Sequence, residues 1–134
     1  MRNSVFEIYS AIENNKKRDN EMIIRQSYYI TIIQQKAVGY MSVAEGITKG
    51  DVVKRALDAY IMQINEIESN NADKIKKQDE TITRQTYLIT EYHRKAIAYL
   101  SYINNIYKSD IVKNALDHYI PDKYYRMAKE NLNP

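Results

Sequence analysis

Two arginines, two lysines and a pair of hydroxyls recur in this chain at one fixed spacing, and its histidines do not. Arg25 returns as Arg84, Ser27 as Thr86 and Lys49 as Lys108, each 59 residues later. His93 and His118 stand where the first copy has Gln34 and Ala59, so neither imidazole belongs to a repeated constellation. The absence of cysteine removes thiolate nucleophiles, thiolate metal sites and disulfides. No Gly-rich phosphate loop and no His/Cys/Asp/Glu set with metal-ligand spacing is present. An enzyme, a resident metal and a cofactor are therefore not expected. Lys49 and Lys108 fall in the first turn of a predicted helix, where a positive charge opposes the macrodipole. A phosphate partner explains their recurrence better than a solvated lysine does.

The recurrence extends well beyond these residues. Residues 25–61 and 84–120 align without a gap, and 19 of the 37 positions are identical. Several of the others are close in chemistry, such as Val38/Ile97, Met41/Leu100 and Val52/Ile111. One supersecondary unit has been copied, so function resides in what one unit does and in why two are joined. A unit of roughly 40 residues rarely buries enough apolar surface to fold alone. With disulfides and thiolate metal sites excluded, association remains: repeat with repeat, or chain with chain. The net charge of +3 permits a nucleic-acid partner without demanding one. The 13 tyrosines, against one phenylalanine and no tryptophan, read mainly as packing residues on helix faces. The first twenty residues lack the apolar core of a signal peptide, and no stretch is expected to span a membrane.

Each copy reads as strand, helix, short turn, helix. Ile24–Ile30 and its counterpart, about residues 83–89, are β-tolerant and free of Gly and Pro. Alternation places Gln26, Tyr28 and Ile30 on one face and Arg25, Ser27 and Tyr29 on the other. It does not say which face is inward, because neither is cleanly polar. Thr31 with Gln34 forms a predicted capping box, and Thr90 repeats the cap. Apolar residues then recur at helical spacing up to Gly46 in one copy and Asn104-Asn105 in the other, both suited to a left-handed C-terminal cap. Thr48 and Asp51 predict a second capping box. The matching residue is Tyr107, so the last helix is expected to start late, at Ser109 or Asp110, and to be the looser of the two. A lone strand is unstable, so two copies must bring two strands together.

The segment GITKGDVVKRALDAYI, preceded by its strand and helix, resembles the ribbon–helix–helix family of Arc, MetJ and CopG type. IYKSDIVKNALDHYI, at residues 106–120, resembles the same second helix, and together the copies cover about 75 of the 134 residues. The resemblance implies a mainly α fold with a two-stranded antiparallel ribbon lying in the major groove of duplex DNA. Carried over by position, Arg25, Ser27, Tyr29, Arg84, Thr86 and Leu88 face the groove, while Gln26, Tyr28, Ile30, Gln85, Tyr87 and Ile89 face inward. A slip of one residue would exchange the two sets. Phosphate anchors fall at Thr48, Lys49 and Gly50, and at Tyr107, Lys108 and Ser109. Arg suits guanine, Ser and Thr suit several bases, and Leu88 suits only a thymine methyl or sugar. Gln26 and Gln85 depart from the family, which usually has apolar residues there.

The predicted organisation is an N-terminal helix over 1–15, a first repeat over 16–61 and a linker over 62–83. A second repeat over 84–120 and a C-terminal helix over 121–134 complete it. The linker is long enough for the repeats to pair within one chain as a pseudo-dimer, and the flanking helices offer a contact for further homo-oligomers. Lys16-Lys17-Arg18 and Lys76-Lys77 read either as basic arms or as solvated charge. The resemblance implies sequence-specific binding of double-stranded DNA by a cytoplasmic, nucleoid-associated protein of prokaryotic, plasmid or viral origin. A transcriptional repressor is the first expectation, and a plasmid-partition or relaxosome accessory protein the second. A structural protein that keeps the fold without reading DNA is the third.

Overall fold

The structure is a computed structural model that describes residues 22–63 and 81–131. Among these residues it is mainly helical, with one two-stranded antiparallel sheet and five helices. The order is β1 (Ile23–Thr31), α1 (Ile32–Glu45), α2 (Lys49–Gln63), β2 (Ile82–Thr90), α3 (Glu91–Asn104), α4 (Lys108–Tyr119) and α5 (Asp122–Glu130). The expected helix over 1–15, both basic runs and linker residues 64–80 lie outside the described residues. Of the rest of the expected linker, Met62 and Gln63 belong to α2, and Ile82 and Thr83 belong to β2. No described helix is long and apolar enough to cross a membrane.

β1 pairs with β2 of the same chain, with Ser27 opposite Thr86 at the centre of the register. These two residues are counterparts under the 59-residue offset, so a pseudo-twofold axis passes between them. The backbone bonds Ile32 N–H to Thr81 O (2.9 Å) and Glu91 N–H to Met22 O (2.8 Å) continue the ladder by one step at either end. Each strand thus hands over to a helix beside the point where the other begins.

The helices start and stop for local reasons. Thr31 caps α1 through a reciprocal pair of bonds with Gln34, both 3.0 Å. Gly46 closes α1 in the left-handed region at φ 68°, and Asn105 closes α3 at φ 56°. Each turn is tied by a serine hydroxyl that donates to a carbonyl five residues on, Ser42 to Ile47 and Ser101 to Ile106, both 2.5 Å. α4 does not start late. It begins at Lys108, the counterpart of Lys49, which corrects the expectation of a start at Ser109 or Asp110. Half of a capping box is enough: the Asp110 carboxylate accepts from Tyr107 N–H at 3.3 Å, and the Tyr107 side chain makes no cap.

The two halves exchange their second helices. α2 packs on β2 and α4 packs on β1, while α2 and α4 pack against each other. The core this encloses is built from both copies, with Ile30, Ile89, Leu57, Ile111 and Leu116 essentially inaccessible. Burial of each such side chain stabilises by roughly 1.5–3 kcal/mol, and neither half has an enclosed core without the other's helix. α5 then lies across α1, burying Tyr124 and Ala128.

Candidate nucleic-acid interface

The ribbon has one buried and one open face. Tyr28, Ile30, Tyr87 and Ile89 point into the core, and Gln26 and Gln85 are half-buried at its edge. Arg25, Tyr29, Arg84, Thr86 and Leu88 are exposed on the other face, with Ser27 half-buried among them. Burial of the tyrosine rings decides the orientation: the aromatic surface gained inward exceeds what the two glutamines lose. Burial also pushes the Tyr28 and Tyr87 phenols up to about 12, and for Tyr28 the nearby Arg94 charge pulls weakly the other way.

Across the open face the rows are Arg25 beside Leu88, Ser27 beside Thr86, and Tyr29 beside Arg84. The central hydroxyls bond each other at 2.6 Å. Ile23 and Ile82, 52% and 45% exposed, mark the ends of this face. No carboxylate belongs to the strands, so the only charges the ribbon itself presents are the two guanidinium groups.

The starts of α2 and α4 flank the ribbon. Thr48 and Asp51 form the predicted capping box, with Asp51 N–H to Thr48 Oγ1 at 3.0 Å and Thr48 N–H to Asp51 Oδ2 at 3.3 Å. The Thr48 backbone bond holds the Asp51 carboxyl below the ordinary carboxylate range. This cap leaves the N–H groups of Lys49 and Gly50 for an anion. Gly50 lies so close to β2 that a Cβ there would stand 2.6 Å from the Leu88 carbonyl oxygen. On the other side Ser109 Oγ accepts from Tyr29 N–H at 2.9 Å. Each helix start is therefore fixed to the outer edge of the strand from the other copy. Lys49, Lys108, Thr48 and Tyr107 are all exposed beside it.

Comparison of the chain with protein families, with curated proteins and with solved structures found no match.

Two further pairs hold this arrangement and escaped the reading of the sequence. Gln34 Nε2 donates to Asp117 Oδ1 at 2.9 Å, and His93 Nε2 lies 2.8 Å from Asp58 Oδ1. Gln34 and His93 are counterparts, and so are Asp58 and Asp117. Each pair joins the first helix of one copy to the second helix of the other. The second nitrogen, His93 Nδ1, lies 2.5 Å from the Thr90 hydroxyl, whereas Gln34 Oε1 accepts from the Thr31 backbone N–H. The exact recurrence of the aspartates was the available signal; the Gln-to-His exchange hid it. Ile23 and Ile82 were also missed, although they too recur at the 59-residue offset. Among the described residues, no group of three or more His, Cys, Asp and Glu side chains is placed to hold a metal ion.

Proposed function

We propose that this chain is a tandem ribbon–helix–helix protein that binds duplex DNA sequence-specifically, with the ribbon in the major groove. The observation that carries the reading is the open ribbon face, bearing Arg25 and Arg84 and flanked by two helix starts that each carry a lysine. A two-stranded ribbon fits a groove about 12 Å wide, and Arg is the commonest bidentate reader of guanine there. The two arginine rows are four residues apart along β1. At about 3.3 Å per residue this spans roughly 13 Å, or about four base pairs. Lys49, Lys108 and the adjoining N–H groups serve the phosphates on either side, which fixes register without reading sequence. Repression by occupancy asks only for such binding and is the simplest role, exercised at the nucleoid. Partition or relaxosome work would add contacts with other proteins, and the joining of two copies in one chain favours that as the next role.

Exposed Tyr29 and Leu88 favour a second reading, an interaction protein that keeps the fold but does not read bases. One titration separates them. Fluorescence anisotropy with duplex DNA at several salt concentrations should show binding that weakens steeply as salt rises. Arg25→Ala should cost about 1–3 kcal/mol on the preferred site and relax one base position. Lys49→Ala should weaken all sequences alike and flatten the salt slope by about one unit. A double Arg25→Ala/Arg84→Ala variant that binds its best duplex as tightly as the parent would reject DNA reading by this face.

A further inference from the structure

The two halves of the open face are not equivalent, and their differences fall together. The arginines match across the pseudo-axis, but Tyr29 answers Leu88, Tyr107 answers Thr48, and Ser109 answers Gly50. Because the second helices are exchanged, Gly50 lies on Leu88 and Ser109 lies on Tyr29. The rows bring Arg25 beside Leu88 and Arg84 beside Tyr29. One half therefore consists of Arg25, Leu88, Thr48 and Gly50. The other consists of Arg84, Tyr29, Tyr107 and Ser109. The first reads with an aliphatic group beside its arginine, the second with a phenol, and Tyr29 and Leu88 are 54% and 51% exposed.

The backbone differs in the same sense. A Cβ at Gly50 would meet the Leu88 carbonyl oxygen at 2.6 Å, closer than real Cβ atoms come. Ser109 carries that Cβ, and its hydroxyl accepts from the Tyr29 N–H at 2.9 Å.

Building on the DNA reading above, we propose that the protein recognises a non-palindromic duplex in a single orientation, with Tyr29 and Leu88 as the residues that set its polarity. Beside the guanine met by Arg25, Leu88 selects a thymine, whose methyl is the only base-edge group it complements. Beside the guanine met by Arg84, the Tyr29 phenol selects a base edge that exchanges a hydrogen bond. Such an edge leaves its own polar group unpaired against Leu88, so the two half-sites are not interchangeable.

The test is selection from randomised duplexes by the full chain, followed by competition between the recovered site and versions of it made symmetric. The unaltered protein should recover two guanines with unlike neighbours and prefer this site about tenfold over either symmetric version. Tyr29→Leu should recover thymine beside both guanines, and Leu88→Tyr should lose thymine from the first half. Both side chains are half-exposed, so both variants should melt like the parent. Recovery of a palindrome by the unaltered protein, or an unchanged site from a folded Tyr29→Leu variant, would overturn the polarity while leaving DNA binding intact. Failure to enrich any sequence would overturn the DNA reading itself, and the polarity with it.

Discussion

Gly50 shows how much can rest on a missing methyl group. Alanine favours a helix over glycine by about 1 kcal/mol, so propensity alone makes Gly50→Ala stabilising. The Leu88 carbonyl oxygen, 2.6 Å from the new Cβ, reverses the sign, because forcing that contact open costs roughly 1–3 kcal/mol. A urea unfolding series should show a lower midpoint for Gly50→Ala, and an unchanged or higher one would mean that α2 does not sit on β2 this closely. Tyr28 and Tyr87 make a second prediction at this scale. Their folded values near 12 lie above the value near 10 expected when exposed. A raised folded value means that the stability is complete below pH 10 and is lost as pH climbs through 12. The loss is roughly 2 kcal/mol per tyrosine. Tyr87 Oη is buried without a hydrogen-bond partner among the described residues, which leaves nothing there to soften its ionisation. Tyrosinate absorbance followed during an alkaline titration should show late ionisation coinciding with unfolding. Simple titration of every phenol near pH 10 with the fold intact would contradict it.

Between elements, the bonds that matter are those that cross from one copy to the other. His93 is 3% exposed and links Thr90 to Asp58, while Gln34 links Thr31 to Asp117. Glutamine evidently performs this task, so His93→Gln should cost well under 1 kcal/mol. His93→Ala removes both links and leaves a void, and should cost about 2 kcal/mol. The coupling to Asp58 should be small, below about 1 kcal/mol in a double-mutant cycle, because the Asp58 side chain is 52% exposed. Thermal melts of the two His93 variants give the answer, and equal losses would remove the equivalence drawn between histidine and glutamine. Asp117 carries more than its counterpart, since Tyr125 Oη also donates to its Oδ1 at 2.8 Å and ties in α5. Much of this scale was legible in the sequence. The strands, the left-handed caps at Gly46 and Asn105, and the helix after Pro121 follow from local residue chemistry. The inward face did not, because Gln26 and Gln85 blur the alternation, and only packing of the tyrosines resolves it. The start of α4 was misread because a cap was sought in the Tyr107 side chain. The Asp110 carboxylate supplies it through the backbone. Exchange of the second helices was invisible to any local signal, since it depends on which strand each helix meets.

For the whole molecule, pairing of β1 with β2 inside one chain makes folding unimolecular. The chemical or thermal midpoint should then not move with protein concentration, and sedimentation at micromolar concentration should show a folded monomer or a dimer held elsewhere than through the ribbon. A midpoint that rises with concentration would place the ribbon between chains. Cutting the connection between α2 and β2 should create that dependence, because the two halves would lose a mutual effective concentration in the millimolar range. The axis between Ser27 and Thr86 has one more consequence. In a symmetric pair, any mutation arrives twice, once on each side of the axis, and its cost is doubled before any benefit is tested. A residue on the axis would also have to meet its own copy. Here a serine meets a threonine, and each change to the chain is made once. One half can therefore change its open surface while the other keeps its own.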